Sequence, residues 1–550
     1  MLFFNMDDLK MLDDILFYLL ILISYIRIVL RTTGGLHILQ LDGYKPIRYM
    51  RWVVLHPRRC FEIYEILVVA ITLTVISASG VNQPSWLFAA LCVCWIAFQI
   101  YKILWRKKEE AKKPLVYTAR AKRLFGIALA LQAIFAVLIA LTFSNMYWQI
   151  GAFLFGELTV PVLVICSNLI LPLELTINNA YLRDAKKRIR TLKPKIIGIT
   201  GSYGKTSTKY ILNQILSKKH NVLMTPNSYN TPMGICKVIR GELTSEHEFF
   251  IVEMGAYKRG DIKTLCQLAP PEIGILTAVG PQHLERFKSI ENTAKAKYEL
   301  IEALPSDGLA VINNDNEICA ALADKTVSVP MKRYSVKSKE IDGDTIDIRA
   351  SDIKHSQKGL SFTVSTADTG TTEITTRLLG QHNVSNILAA IAVSLHCGMS
   401  LDDIRTAIRT LEPVPHRLEL KPSDTGVIVI DDSFNSNPEG AKAALEVLTD
   451  FVNDNGGKKV LVTPGMVELG EREYDENKKL GSHAAKVCDL VILVGDETTE
   501  PILDGLKHEN YPEQQIHKVK NLAEVQLQLA KNLKAGDVVL FENDLPDNYN

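Results

Sequence analysis

The sequence has no dominant charge and no paired cysteines. Its 550 residues include 62 basic and 61 acidic side chains, and the net charge of +1 gives no reason to expect a nucleic-acid partner. The nine cysteines are scattered, and none has the CxxC spacing of a zinc or redox site. Isolated cysteines are typical of reduced thiols in a cytosolic compartment. The informative signal is therefore the distribution of apolar residues.

Long apolar runs are confined to the first third of the chain. Five of them approach the roughly 20 residues that a membrane-crossing helix needs, and they cover residues 15–33, 62–79, 86–105, 124–143 and 150–172. The acidic residues before the first run have the wrong sign for a cleaved signal peptide. The sequence therefore predicts an α-helical transmembrane domain of about five spans over residues 1–182.

The charges between these runs predict an orientation. Lysine and arginine concentrate in residues 31–60, 106–123 and 183–195, whereas residues 80–85 and 144–149 carry no charge. Because basic loops stay on the cytosolic side, we expect a multi-pass protein of the cytoplasmic (inner) membrane with cytosolic catalytic domains. Carboxylates are costly inside a bilayer. We expect Glu65 and Glu174 to reach the interface, and Glu157 is the better candidate for lining a polar cavity.

Residues 195–216 read KIIGITGSYGKTSTKYILNQIL, which is a β-branched run, a glycine turn and a helical pattern. Gly201 and Gly204 would let backbone N–H groups approach phosphates at a helix N-terminus. Lys205 would reach the terminal phosphates, and the Thr206 hydroxyl can hold Mg²⁺. Ile199 stands where the general phosphate-loop spacing has its first glycine, so an incidental glycine turn is the alternative. The strand before the turn and the helix after it favour nucleotide binding.

The short form TGSxGKTS resembles the phosphate loop of the Mur ligases. Further segments resemble this family in order, several of them its D-alanyl-D-alanine-adding branch: TPNSYNTPMG (225–234), VEMGAYKRGDI (252–262), GPQHLERFKSIENTAKAKYEL (280–300), INNDN (312–316), GQHNVSNILAA (380–390), PVPHRLE (413–419), DDSFNSNP (431–438) and GMVELGERE (465–473). On these segments the sequence is identified as a member of the family over roughly 195–495.

The resemblance implies an α/β architecture after the membrane region. A central ATP-binding domain with a phosphate loop is expected over residues 183–412, and a smaller Rossmann-like domain over residues 413–550. The later part of the chain alternates strands such as VIVID and LVILVGD with helical stretches, which is typical of a parallel sheet.

The resemblance also implies ATP and Mg²⁺ as cofactors and a set of catalytic residues. Those expected to be catalytic are Lys205, Glu253, His283 and Lys297. Magnesium would be held by Thr206, Glu253, His283 and, once carbamylated, Lys297. Lys295 is the rival of Lys297, but residues two apart on a helix do not share a face. Read without the family, Glu253 would be a solvated strand end and His283 a loop histidine.

A second set of residues is expected to bind ATP or the substrates. The nucleotide set is Gly201, Ser202, Tyr203, Gly204, Lys205, Thr206, Ser207, Asn313, His382, Asn383, Asn386, Arg417 and Asp432. The substrate set is Asn230, Asn435, Met466 and Glu468. His416 replaces the glycine that the family usually has before this arginine, which puts the local backbone geometry in doubt. The chain continues as FENDLPDNYN where the family has a Lys-Gly-Ser type segment, so amine specificity is expected to differ.

The expected function is ATP-dependent, ADP-forming ligation of an amino acid or short peptide to a carboxylate that is activated as an acyl phosphate. The membrane spans occupy the chain position of the family's nucleotide-sugar-binding domain. The acceptor is therefore expected to be a lipid-linked or membrane-held precursor of the cell envelope. The alternatives are a capsule synthetase of the poly-γ-glutamate type, a nucleotide-driven transporter subunit and a catalytically dead scaffold.

Overall fold

A computed structural model describes residues 6–57, 85–104, 114–142, 156, 158–227, 229–281, 284–326, 328–337, 346–421, 423–434, 436–451, 457–467, 469–495 and 498–544. The chain forms two compact units, one ending at Asn178 and the other beginning at Asn179. Several features predicted from the sequence lie outside the described residues: His283, Asn435, Glu468, Glu65, Glu157 and the apolar run 62–79.

The first unit is helical. Its helices are α1 (Met6–Leu41), α2 (Pro46–Leu55), α3 (Ser85–Leu104), α4 (Ala119–Thr142), α5 (Thr159–Leu169) and the start of α6 (Leu171–Leu192). Segments Tyr18–Leu41 of α1 and Ala119–Leu138 of α4 are long and apolar enough to cross a membrane. Helices α5 and α6 qualify only as a pair bent by 48°. The described residues thus support two candidate spans, or three with the bent pair, in place of the predicted five.

The bend between α5 and α6 falls just before a proline. Pro172 has no N–H group, and its ring interferes with the carbonyl four residues earlier, so a straight helix cannot continue through this point. Glu174 in the next turn is 3% exposed, and it accepts hydrogen bonds from Arg123 Nε (2.8 Å) and Nη2 (2.5 Å). An ion pair with α4 thus holds Glu174 inside the unit, and its predicted position at the membrane interface stays a prediction.

A nine-stranded sheet forms the centre of the second unit. Its strands are β1 (Lys195–Thr200), β2 (Val222–Met224), β3 (Phe249–Glu253), β4 (Ile273–Leu276), β5 (Leu309–Asn313), β6 (Met331–Ser335), β7 (Ile348–Ser356), β8 (Gly359–Thr366) and β9 (Gly370–Thr376). The order is β2-β3-β1-β4-β5-β6-β7-β8-β9. The first seven strands in this order are parallel, and β8 and β9 add an antiparallel extension.

Helices cover both faces of this sheet, as the continuous apolar runs of its central strands require. The helices are α7 (Lys205–Leu216), α8 (Pro232–Gly241), α9 (Asp261–Leu268), α10 (Leu284–Phe287), α11 (Ile290–Glu302), α12 (Glu317–Ala323), α13 (His382–His396) and α14 (Leu401–Arg409). One core joins α7, α13 and α14 to the sheet, and the other joins α8, α9, α11 and α12 to the opposite face. With both faces of the sheet covered by helices, the carboxyl ends of the strands remain available, and ligands bind at these ends in such folds.

A six-stranded sheet follows in the same unit. Its strands are β10 (Glu419–Lys421), β11 (Ile428–Asp432), β12 (Lys459–Thr463), β13 (Leu490–Val494), β14 (Ile516–Val519) and β15 (Val538–Glu542), in the order β10-β11-β15-β12-β13-β14. Only β10 is antiparallel to its neighbour. The helices are α15 (Pro438–Asp450), α16 (Glu473–Val487), α17 (Glu500–His508) and α18 (Leu522–Asn532). The predicted α/β class with a second, smaller parallel sheet is confirmed.

Candidate active site

The glycine turn at 201–204 joins β1 to α7. Gly204 has a left-handed φ of 80°, and no described side chain caps the helix that begins at Lys205. The first N–H groups of α7 are therefore open to an anion. Lys205 folds back over the turn and donates to the carbonyl oxygens of Gly201 (2.7 Å) and Ser202 (3.2 Å). Burial lowers the pKa of Lys205 to about 8, and Arg417 adds to the effect.

Contacts with the neighbouring strand end brace the turn. Ser202 Oγ donates to the Gly280 carbonyl and accepts from the Gly280 N–H group, both at 3.0 Å. Thr277 Oγ1 donates to the Tyr203 carbonyl at 2.5 Å. A Cβ on Gly280 would lie 2.6 Å from the Tyr203 ring, so the ring packs directly on this glycine. These contacts therefore hold the turn in the shape described.

Glu253 ends β3 beside the first turn of α7, and it is 1% exposed. Its Oε2 accepts from Thr206 Oγ1 (3.0 Å) and Lys209 Nζ (3.0 Å), and its Oε1 accepts from Asn230 Nδ2 (3.1 Å). Burial alone would raise the pKa of Glu253, but Lys209 and Lys205 outweigh it and hold the pKa below its usual range. An ionised carboxylate beside a threonine hydroxyl is the oxygen ligand set that Mg²⁺ prefers, so these residues fit the ion.

Lys297 lies on α11 and points under the glycine turn. It is 3% exposed and donates to the Gly201 carbonyl at 2.9 Å, whereas Lys295 is exposed. Burial, with Lys205 nearby, lowers the pKa of Lys297 well below the usual lysine value. A neutral amine is the form that reacts with CO₂, so this environment suits carbamylation. The metal-binding role of Lys297 stays a prediction.

The predicted adenine-binding amides mostly bond to the protein itself. Asn313 Nδ2 donates to the Thr277 carbonyl (2.8 Å), and Asn383 Nδ2 donates to the Leu379 carbonyl (2.7 Å). Asn386 Oδ1 accepts from Thr208 (3.1 Å), and a Cβ on Gly204 would lie 2.6 Å from that oxygen. Asn386 thus braces α13 against α7, and its predicted contact with adenine is left without support from this geometry.

His382 is the first residue of α13. The surrounding protein desolvates its imidazole ring and, with Arg417 nearby, lowers the pKa to about 4. The histidine is therefore neutral near pH 7 and can both donate and accept a hydrogen bond. Its predicted contact with the nucleotide stays a prediction.

Arg417 approaches the site from the second sheet. Burial lowers its pKa, while the negative charges of Asp432, Glu253 and Glu542 act to raise it, so this guanidinium lies among the acids of both sheets. His416 before it adopts a left-handed φ of 59° and bonds Asp431 through Nδ1 (2.8 Å). A histidine therefore adopts here the left-handed backbone conformation that glycine favours.

The ends of β11, β15 and β12 meet beside Arg417. Asp432 and Glu542 are register partners on neighbouring strands, and their carboxyl groups lie close enough to affect one another. Ser436 Oγ donates to Glu542, and Asn543 Nδ2 donates to the Gly465 carbonyl at 2.6 Å. Burial and the facing Asp432 raise the pKa of Glu542 well above its usual range.

Two ionisable groups near the site, Lys209 and Glu542, were not predicted from the sequence. The Met466 side chain is 1% exposed and packs in the core of the second sheet, and its predicted contact with the substrate stays a prediction. Lys209 was missed, although its position four residues after Lys205 places it on the same helix face. Glu542 was missed because its pairing with Asp432 depends on the order of the strands. Ser207 lies in the first turn of α7, as predicted.

Comparisons with known proteins agree with this architecture. The Mur ligase middle domain matches residues 199–394, and the Mur ligase glutamate ligase domain matches residues 416–542. UDP-N-acetylmuramoyl-tripeptide–D-alanyl-D-alanine ligase of Mycobacterium leprae is 33% identical over 371 residues, which cover 63% of this chain and 70% of that protein. The enzyme of the same name from Bacillus subtilis is 29% identical over 359 residues, 65% of this chain and 75% of that protein.

Solved structures of similar proteins show the same fold. The MurF ligase of Thermotoga maritima, in complex with ADP, superposes with a TM-score of 0.59 at 26% identity, covering 67% of this chain and 80% of that one. MurF from Acinetobacter baumannii gives a TM-score of 0.58 at 26% identity, covering 67% and 77%. With the phosphate turn, Glu253 and both sheets in place, the chain belongs to the Mur ligase family of ATP- and Mg²⁺-dependent, ADP-forming amide ligases.

Proposed function

We propose that this chain is a membrane-anchored peptide ligase that joins an amino acid or short peptide to a carboxylate held at the cytosolic face of the membrane. The observation that carries the proposal is the position of the phosphate turn in the chain. Helix α6, which continues the bent apolar pair, ends at Leu192, and β1 begins at Lys195. A ligase site that follows apolar helices so closely along the chain is suited to a substrate that cannot leave the membrane.

The apolar surface of the first unit supports the anchor. Leu22 on α1 is 57% exposed, Val137 on α4 is 56% exposed and Leu169 on α5 is 63% exposed. Most of the large apolar side chains that are exposed lie in this unit, and an extensive exposed apolar surface marks contact with lipid or protein. The arginines and lysines of residues 31–60 and 106–123 are consistent with a cytosolic side.

The reaction would begin with phosphorylation of the acceptor carboxylate. A carboxylate oxygen bonds to the γ-phosphorus, the bond from that phosphorus to the β–γ bridging oxygen breaks, and ADP leaves. The N–H groups at the start of α7 and the Lys205 ammonium group would hold the phosphates. Thr206 and Glu253 would hold Mg²⁺, which neutralises charge on the phosphates. Arg417 would approach the same phosphates from the second sheet.

Ligation would follow by attack of the amine on the acyl phosphate. The new C–N bond forms, the bond between the acyl carbon and the phosphate oxygen breaks, and inorganic phosphate leaves. An ammonium substrate must lose two protons before the amide is complete. The Asp432–Glu542 pair lies at the sheet edge that would face the amine, and an ionised member could accept one proton. The departing phosphate could take the other.

The substrates are proposed by likeness and by chain order. The relatives are named for joining D-alanyl-D-alanine to a UDP-N-acetylmuramoyl-tripeptide, so the amine here is proposed to be an amino acid or dipeptide. The acceptor is proposed to be lipid-linked or otherwise held in the membrane. A capsule synthetase of the poly-γ-glutamate type shares this chemistry but would add the same residue repeatedly.

The test is a screen of single amino acids and D-alanyl-D-alanine for phosphate release by the detergent-solubilised protein. Each amine is added with ATP, Mg²⁺ and a lipid extract as the source of acceptor, and the masses of the lipid products are measured by mass spectrometry. The proposal predicts release that needs both amine and lipid extract and yields one added residue or dipeptide. A ladder of products would favour the capsule reading. Equal turnover of a soluble UDP-linked peptide would reject the membrane-held acceptor.

A further inference from the structure

Lys209 is a fully buried lysine that the steps above do not use. It lies one helical turn beyond Lys205 on α7, and its side chain is 0% exposed. Its ammonium group bonds Glu253 Oε2 at 3.0 Å and also donates to the Asn227 carbonyl. Burying a charged group is unfavourable unless it is paired and hydrogen-bonded, and Lys209 has both kinds of partner.

The Asn227 carbonyl belongs to the segment between β2 and α8, whose described residues, 225–227 and 229–231, are here called the acceptor loop. Asn227 has a left-handed φ of 44°. The loop contacts Glu253 at two further points, since Thr225 Oγ1 accepts from the Glu253 N–H group and Asn230 Nδ2 donates to Glu253 Oε1 (both 3.1 Å). Among the described residues, Lys209 is the one cation that bonds the acceptor loop and Glu253 together.

We propose that Lys209 is a positioning residue that fixes the acceptor loop relative to the metal-binding carboxylate through one ammonium group bonded to both. A metal ion on Glu253 would draw on the same carboxylate oxygen, and the Asn227 carbonyl would then keep Lys209 in place. The role of the loop rests on the proposed function. The test reads metal binding and loop opening directly, so absence of ligase activity would not decide it.

The rival explanation is that Lys209 only neutralises a buried charge. Removal of Lys209 would then lower overall stability without a local effect on the loop. Two measurements separate these explanations. Mn²⁺ binding in the presence of a non-hydrolysable ATP analogue, followed by electron paramagnetic resonance, reads the metal site. Hydrogen exchange reads the loop at the Thr225 and Tyr229 N–H groups, which donate to the Ile251 and Pro226 carbonyl oxygens.

The experiment compares Lys209→Met with Lys218→Met in the full-length, detergent-solubilised protein. Lys218 is an exposed lysine just beyond the same helix, so it controls for loss of a charge. We expect Lys209→Met to weaken Mn²⁺ binding about tenfold or more, as for other residues that orient metal ligands. Exchange of the loop amides should rise by a similar factor, while amides of α13 stay unchanged. Lys218→Met should change neither quantity.

A second pair of variants covers the case in which Lys209→Met does not fold. Replacing both members of the ion pair leaves no buried charge, so Lys209→Met/Glu253→Gln should fold as well as Glu253→Gln. The double variant should still exchange its loop amides faster than Glu253→Gln, because the Asn227 contact is lost. Equal loop exchange in this pair, or Lys209→Met behaving like Lys218→Met, would overturn the proposal.

Discussion

The carboxyl edges of the two sheets gather different ionisable side chains. The edge of the nine-stranded sheet gathers Lys205 and Lys209 around one acid, Glu253, whereas the edge of the six-stranded sheet gathers Asp431, Asp432 and Glu542. Both are largely parallel sheets, and both place polar groups at the same edge. We infer from this comparison that one edge suits phosphates with a metal and that the other suits an amine.

The largest expected effect comes from removing the phosphate-binding cation of the first edge. Lys205→Ala should lower turnover by about a thousandfold, because a positioned cation stabilises the charge that develops on the transferring phosphoryl group. Phosphate release in the amine screen is the measurement, with the exposed Lys218→Ala as control. If Lys205→Ala kept most of the turnover, the cationic edge would not be the phosphate site and the comparison would fail.

The next effect tests the shape of the same edge. Gly204→Ala would adopt a left-handed φ at a cost of about 1–2 kcal/mol, and its Cβ would also meet Asn386 Oδ1 at 2.6 Å. We expect the Kd for ATP to rise about tenfold to a hundredfold, measured by fluorescence titration. Gly260→Ala is the matched control, because it has a φ of 87° with open space around the added carbon. A similar loss of ATP affinity in both variants would remove the role assigned to the Asn386 contact.

The acids at the edge of the six-stranded sheet should make the stability of the folded protein depend on pH. Below the ordinary glutamate pKa of 4.5, Glu542 is protonated in both the folded and the unfolded chain. As the pH rises, the unfolded chain releases this proton while the folded chain keeps it, so stability is lost until the pH passes the raised pKa. Glu542→Gln should therefore raise Tm more at pH 8 than at pH 5, by about 2–4 °C per kcal/mol.

Thermal unfolding at the two pH values measures this difference. Glu446→Gln, at an exposed glutamate on α15, is the control and should show no such dependence. If Glu542→Gln lowered Tm at pH 8, the two carboxyl groups would not be in conflict and the contrast in charge between the edges would be weaker.

The smallest effect concerns the turn that presents Arg417. His416 has a φ of 59°, a conformation that β-branched residues rarely adopt. We expect His416→Val to be less stable than His416→Gly by about 1–2 kcal/mol, measured by urea denaturation. Glycine would relieve the backbone while losing the bond to Asp431. Equal stabilities would show that this turn relaxes in the variants and does not hold Arg417 rigidly.

Local pattern was sufficient to predict the first edge. The strand, glycine turn and helix of 195–216 are contiguous, and Glu253 ends an apolar strand, so their structure follows from neighbouring residues. The choice of Lys297 over Lys295 came from the resemblance to the family, helix geometry allowed only one of the two to reach the site, and the structure buries only Lys297. Pairings between distant strands could not be predicted from the sequence. Asp432 and Glu542, for example, meet only through the β11–β15 register.

Other side-chain contacts depend on the three-dimensional structure. The protein partners of the Asn313, Asn383 and Asn386 amide groups become visible only there, and the assignment of these amides to adenine stays a prediction. Burial of the Met466 side chain likewise depends on packing between distant elements. Apolar runs and the charges between them predicted about five spans, whereas two helices, or three spans with the bent pair, are long and apolar enough among the described residues.

The most direct test of the central claim follows the oxygen of the acceptor carboxylate. An acceptor labelled with ¹⁸O in that carboxylate is incubated with ATP, Mg²⁺ and the amine, and the inorganic phosphate is analysed by mass spectrometry. Ligation through an acyl phosphate predicts one ¹⁸O atom in each phosphate released, together with an amine-dependent rate. Unlabelled phosphate released at the same rate without the amine would contradict the account and favour a nucleotide-driven transporter subunit.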